Sequence, residues 1–162
     1  MREETPNFIR LAIGASTDGV GLLLRLSDLL PPPFYCLYVL VVSRRGEQPG
    51  RYQSPWLESR AALVDFLLEF KQPLEADGRH HLWVCSPEAG ATLVYDRHNL
   101  VYAYGPLEQF SERLHELHYR EEPVVIPFPH VHYFHDATDK QVGELLHYWE
   151  WQHFPLEEVD EE

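Results

Sequence analysis

Cysteine is nearly absent from this chain: Cys36 and Cys85 are the only two among 162 residues, each inside an apolar run. A secreted domain stapled by disulfides carries more of them, at loop positions, so a reducing compartment and a cytoplasmic location are expected, with the pairing of these two left open. Long hydrophobic runs are lacking as well. The most apolar stretch, Phe34 to Val42, has the length of a strand, well short of the roughly 20 residues of a membrane helix. The opening residues, Met1-Arg2-Glu3-Glu4-Thr5-Pro6, have neither the cationic start nor the apolar stretch of a signal peptide. Positive charge is scarce, and scarcest toward the end. Residues 1–50 balance five Arg/Lys against five Asp/Glu, residues 51–120 hold seven against ten, and residues 121–162 one against eleven, for a net charge of −13. A chain this acidic, with no basic stripe, repels phosphate backbones, so nucleic acid is not an expected partner; with no run of spanning length, neither is a membrane.

Catalytic signatures are missing too. There is no G-x-S-x-G elbow, no phosphate-binding G-x-x-x-x-G-K-[ST] loop, no C-x-x-C, and Gly19-Val20-Gly21 lacks the third glycine of a dinucleotide fingerprint. Cys85-Ser86 ends an apolar strand with no base nearby in sequence, the setting of an inert thiol.

What is present describes one globular domain. The chain is 44% hydrophobic and 24% charged, and at this length it can bury roughly 70% of its unfolded surface. Nine Tyr, eight Phe and four Trp point to an aromatic core. Residues 1–156 read as a single α+β domain and 157–162 as an acidic C-terminal tail, solvated and mobile.

Along the domain, Phe8 to Ala15 reads as a strand and Leu22 to Leu30 as a helix stopped by Pro31-Pro32-Pro33. Phe34 to Ser43 suggests a central strand covered on both faces, with Arg51 to Trp56 as a short edge strand. Ser59 can cap a helix whose inner face is Leu63, Phe66, Leu67 and Phe70. His80–Cys85, Ala91–Tyr95 and Leu100–Tyr104 are β-rich runs joined by turn-length gaps, which makes them an antiparallel meander. A further helix follows Gly105-Pro106, with Leu107, Phe110, Leu114 and Leu117 inward, and Val124 to Ile126 can be a strand. Thr138 with Gln141 resembles a capping box opening a last helix over roughly 138–151. The expected fold is therefore α+β, the meander lying in a mixed sheet packed by about four helices, with Phe66, Trp83, Phe110 and Trp149 in the core.

Two clusters are candidate sites. In Pro129-His130-Val131-His132-Tyr133-Phe134-His135-Asp136, an extended chain puts His130 and His132 on one face, His135 can join them at a turn, and Asp136 or Asp139 adds oxygen. Neutral imidazoles at that spacing suit zinc or a similar divalent metal; otherwise no cofactor is expected. The segment resembles the H-x-H-x-D-H signature of the metallo-β-lactamase fold. Phe134, however, stands where the aspartate belongs, and twenty-seven residues after His135 are too few for the later ligands, so that family is set aside. The second cluster is the tip Tyr95-Asp96-Arg97-His98-Asn99. Turn chemistry accounts for Asp96 and Asn99, while Arg97 and His98 are less demanded by a turn, so Arg97, His98 and Asn99 are candidate recognition residues.

Three function classes fit these features. The first is a non-catalytic binding module that regulates or neutralises a basic protein. In size, charge and α+β character alone the chain resembles the immunity-type antitoxins of bacteria. The second is a metal-binding protein or metal-dependent enzyme using His130, His132 and His135. The third is a small-molecule sensor lined by aromatics. The acidic bias and the incomplete catalytic sets favour the first.

Overall fold

The computed structural model describes residues 1–126 and 131–161. Among these residues eight strands form one sheet: β1 (Arg2–Glu4), β2 (Ile9–Gly14), β3 (Tyr35–Leu40), β4 (Gly50–Gln53), β5 (His80–Ser86), β6 (Ala91–Tyr95), β7 (Leu100–Tyr104) and β8 (Gln152–Phe154). Their order is β1-β2-β7-β6-β5-β3-β4-β8. Every pairing is antiparallel, where the sequence had left room for a mixed sheet. The β5–β6–β7 meander is present as expected, at the centre. Among the described residues five α-helices accompany the sheet: α1 (Gly19–Ser27), α2 (Arg60–Glu69), α3 (Lys71–Ala76), α4 (Leu107–Glu116) and α5 (Asp136–Tyr148).

Alternation along the strands sends one set of side chains to the helices. Leu11, Ile13, Cys36, Tyr38, Leu40, Leu82, Val84, Leu93, Tyr95, Val101 and Ala103 meet Leu22, Leu23 and Leu26 of α1, Leu63, Phe66 and Leu67 of α2, Phe110 of α4, and Val142 and Leu145 of α5 in one buried cluster. The helices start where the sequence supplies caps: the Asp18 carboxylate accepts from Gly21 N and the Ser59 hydroxyl from Ala62 N.

Several local readings are corrected. α5 begins at Asp136 rather than Thr138, and Thr138 sits buried in its first turn, bonded to Asp77 and to the His135 carbonyl. Residues 124–126 form no strand, and β4 is not an edge, because β8 pairs outside it. Trp83 is half-buried on the face away from the helices, since its neighbours Leu82 and Val84 take the inward positions; Phe66 and Phe110 are fully buried, and Trp149 packs partly buried against the core. Cys36 and Cys85 are free thiols. They lie on opposite faces of the sheet, which keeps them apart. Among the described residues no helix is long and apolar enough to cross a membrane.

His80 introduces a titratable group into this core. A carbonyl only accepts, so the 3.4 Å contact with Leu74 O places the imidazole proton on Nε2, and Nδ1 then accepts from the Tyr38 hydroxyl at 3.1 Å. Burial pushes the imidazole down from 6.5 to about 4. The unfolded chain therefore takes up a proton near pH 6.5 that the folded chain refuses until about 4. The stabilisation is complete above the unfolded value and is lost as pH falls through that window, by up to roughly 3 kcal/mol. Melting midpoints measured between pH 7 and 4 should fall, and His80→Gln should flatten the slope; equal slopes would show that another group dominates.

Candidate functional site

The second set of strand side chains points away from the helices, and the registers order them into rows. Ala12, Tyr102, Val94, Trp83, Leu37 and Gln53 lie side by side across β2, β7, β6, β5, β3 and β4. A neighbouring row runs from His81 through Val39 to Arg51. Thr92 and Tyr104 pair on the other side of the first row. Cross-strand neighbours on one face stand about 5 Å apart, so these rings and aliphatics make a continuous floor. Over it lies a groove of about 630 Å³ whose floor includes Trp83, Val94, Tyr102 and Tyr104, with Ile126 and Val159 among its lining residues. That volume lies in the range of sites for small or segmental ligands.

Two guanidinium groups flank the floor. Arg10 lies 3.9 Å from the Tyr102 ring centroid and 4.8 Å from that of Phe8; it donates to the Tyr104 hydroxyl at 2.9 Å and to Glu3 at 2.7 Å. Arg51 lies 5.5 Å from the Trp83 ring and grips the Asp160 carboxylate with two bonds of 2.8 Å. Cations over ring faces are held by the aromatic quadrupole, so the floor is already polarised at both ends.

Asp160 belongs to the segment expected to be solvated, and that expectation fails here. Residues 158–160 form a 3-10 turn that folds back on the sheet, leaving Asp160 only 3% exposed. Its carboxylate also accepts from Glu157 N at 2.8 Å, and its carbonyl accepts from His81 Nε2 at 3.1 Å. Burial alone would raise the Asp160 carboxyl, but Arg51 and the Glu157 amide outweigh it and hold the group below the usual carboxylate value. Because Arg51 and His81 flank Val39 in their row, a residue bonded to both lies over Val39, which is fully buried.

At the hairpin tip the three candidate recognition residues separate. Asn99 is structural: at φ 63° it joins the Tyr95 hydroxyl to the Ser16 carbonyl. Asp96 braces the turn through His98 N and Leu100 N, both 2.9 Å, and its other oxygen meets His98 Nδ1 at 3.1 Å. His98 lines the groove, and Arg97 donates to the Glu161 carbonyl at 2.9 Å. The histidine segment is only partly described. His130 lies outside the described residues, and with it the convergence of three histidines. His132 stands with its ring 5.0 Å from that of His98 and its side chain against Gly78. His135 is the N-cap of α5, and Asp136 pairs with Arg44. Among the described residues no group of three or more His, Cys, Asp or Glu side chains is placed to hold a metal ion.

Sequence reasoning missed the roles of Arg10 and Arg51. Their pairing is long-range, and the only local signal was an arginine on a strand beside outward-facing aromatics. Chemically the arrangement suits adsorption of an apolar or aromatic body on a floor flanked at each end by an ion-paired arginine. Compared with protein-family models, with curated proteins and with solved structures, the chain finds no match.

Proposed function

We propose that this protein is a non-catalytic binding module, regulator-like or immunity-like in kind, whose recognition surface is the sheet face that none of the five described α-helices covers, the helix-free face. The carrying observation is the groove itself, an aromatic floor of Tyr102, Val94 and Trp83 in one cross-strand row. Its polar groups support binding over catalysis because they are already committed: Asp96 to the turn, Asp160 to Arg51, Arg10 to Glu3 and Tyr104. The net charge of −13 selects a basic protein as partner, steered by the exposed carboxylates of Glu112, Glu121 and Glu122.

The neutral dye N-phenyl-1-naphthylamine reads the floor without a charge bias. Its fluorescence should rise with added protein. The double change Trp83→Ala with Tyr102→Ala should weaken its binding about tenfold or more, as loss of two aromatic contacts predicts. Leu68→Ala, at an exposed helical position, should leave it unchanged. Equal affinity in all three proteins would remove the groove from the reading.

A further inference from the structure

At one end the groove is lined by His81, Val159 and Asp160, and there the most acidic segment of the chain is seated, held by Arg51 and Arg97 beside it. Three kinds of contact hold it. Arg51 takes the Asp160 carboxylate with two bonds and reaches Glu157 at 2.9 Å. His81 and Arg97 take the main-chain carbonyls of Asp160 and Glu161. The segment's own turn is closed by Asp160 accepting from Glu157 N. Only the first contact reads a side chain deeply, since Asp160 is buried while Glu157, Glu158, Val159 and Glu161 are exposed. Arg97 keeps a further donor, Nε, shielded from water with no acceptor among the described residues. In a molecule of charge −13, two arginines facing one segment make a locally positive seat, and bidentate guanidinium–carboxylate geometry gives it specificity.

We propose that this end of the groove is a docking seat for an acidic peptide stretch, one buried carboxylate within a tight turn flanked by acids, and that residues 157–161 occupy it in cis as a built-in competitor. The proposal rests on reading the helix-free face as a recognition surface. A tethered segment competes at an effective concentration of roughly millimolar, so a stretch arriving in trans binds well only when it displaces the cis segment. Displacement frees the carboxylates of 157–161 for a basic partner, and linkage makes the two events reinforce each other.

The test uses the full chain and a fluorescein-labelled peptide of residues 155–161, followed by anisotropy. Asp160→Asn keeps the side-chain shape and removes the charge that holds the cis segment. It should bind the peptide about tenfold or more tighter than the wild type does, with affinity falling as salt rises. Adding Arg51→Gln should abolish that gain. Should Asp160→Asn prove too unstable to measure, Glu157→Gln at its exposed position should tighten binding in the same direction by a smaller factor. Equal binding by wild type and variants, or a gain that survives Arg51→Gln, overturns the seat. Dye binding, measured on the same samples, separates the two readings: dye retained with peptide refused removes the seat alone, and dye refused with peptide retained removes the aromatic floor alone.

Discussion

Arg79→Met is expected to cost about 3–5 kcal/mol of folding stability, because it strips the counter-ion from a carboxylate that has no access to water. The side chains of Arg79 and Asp77 are both 0% exposed. Arg79 donates to Asp77 through Nε at 2.9 Å and Nη2 at 2.5 Å, and reaches Asp139 through Nη1 at 2.8 Å. Asp77 also accepts from the Thr138 hydroxyl at 2.6 Å and from His135 N at 3.3 Å. One carboxylate thus ties the start of β5 to the start of α5. These bonds outweigh the cost of burial and hold the Asp77 carboxyl down at about 2. A carboxyl lowered in the fold stabilises above its unfolded value and loses that effect as pH drops, so this part of the acid sensitivity belongs between roughly pH 4 and 2. Asp139 retains Arg44 and Arg45 when Arg79 is gone, at 3.5 and 2.8 Å, so the uncompensated charge is mainly Asp77. Adding Asp77→Leu to Arg79→Met should then recover much of the loss, since replacing both ions costs less than orphaning one. Urea melts of the two single variants and the double variant measure this. A single-variant loss below about 1 kcal/mol would mean that water reaches the pair.

That network also shows where the sequence was legible and where it was not. Asp77-Gly78 is a turn signal and nothing next to Arg79 in sequence marks it as buried; its burial depends on Thr138 and Asp139, some sixty positions away, and no local pattern carries that. The meander was legible because turn-length gaps leave neighbouring strands only one geometry. The facing of His81 with Trp83, and of Tyr102 with Tyr104, followed from the two-residue period alone. That their shared face would be the helix-free one did not follow, because period 2 gives two faces without saying which one the helices cover. Trp83 was placed in the core for that reason. The three-residue strands β1 and β8 are rich in polar and charged residues and are held by edge pairing, as in Glu3 with Arg10 and Arg51 with Phe154. The folded segment 157–161 was hidden by its composition: five residues, four of them acidic, look solvated until Arg51, from a strand a hundred positions earlier, is found beneath them.

Phe66→Ala is expected to cost about 3–5 kcal/mol, through lost burial and the cavity left behind. Phe66 is fully buried on α2 at the centre of an aromatic cluster. Its ring stacks on Trp149 at 4.4 Å and meets Phe70, Tyr148 and Trp151 at 5.4, 5.6 and 5.9 Å. The residues after α5 are held there too, with Trp151 Nε1 donating to the Leu145 carbonyl at 3.0 Å. Removing one ring therefore takes away several aromatic contacts at once, and two of the partners are indoles too rigid to collapse into the space. Phe66→Leu keeps most of the volume and should cost roughly 1–2 kcal/mol. Leu68→Ala, two residues along the same helix but 56% exposed, should stay within about 0.5 kcal/mol. Denaturant melts followed by tryptophan fluorescence give all three values. A Phe66→Ala loss below about 1 kcal/mol would show that the cluster is open to water. Because Phe66 lies on the helix side of the sheet, dye binding in the groove should be unchanged in the folded fraction of Phe66→Ala. Impaired dye binding there would mean that the two faces are mechanically coupled through β3 and β5, and that the helix-free face is not an independent recognition surface.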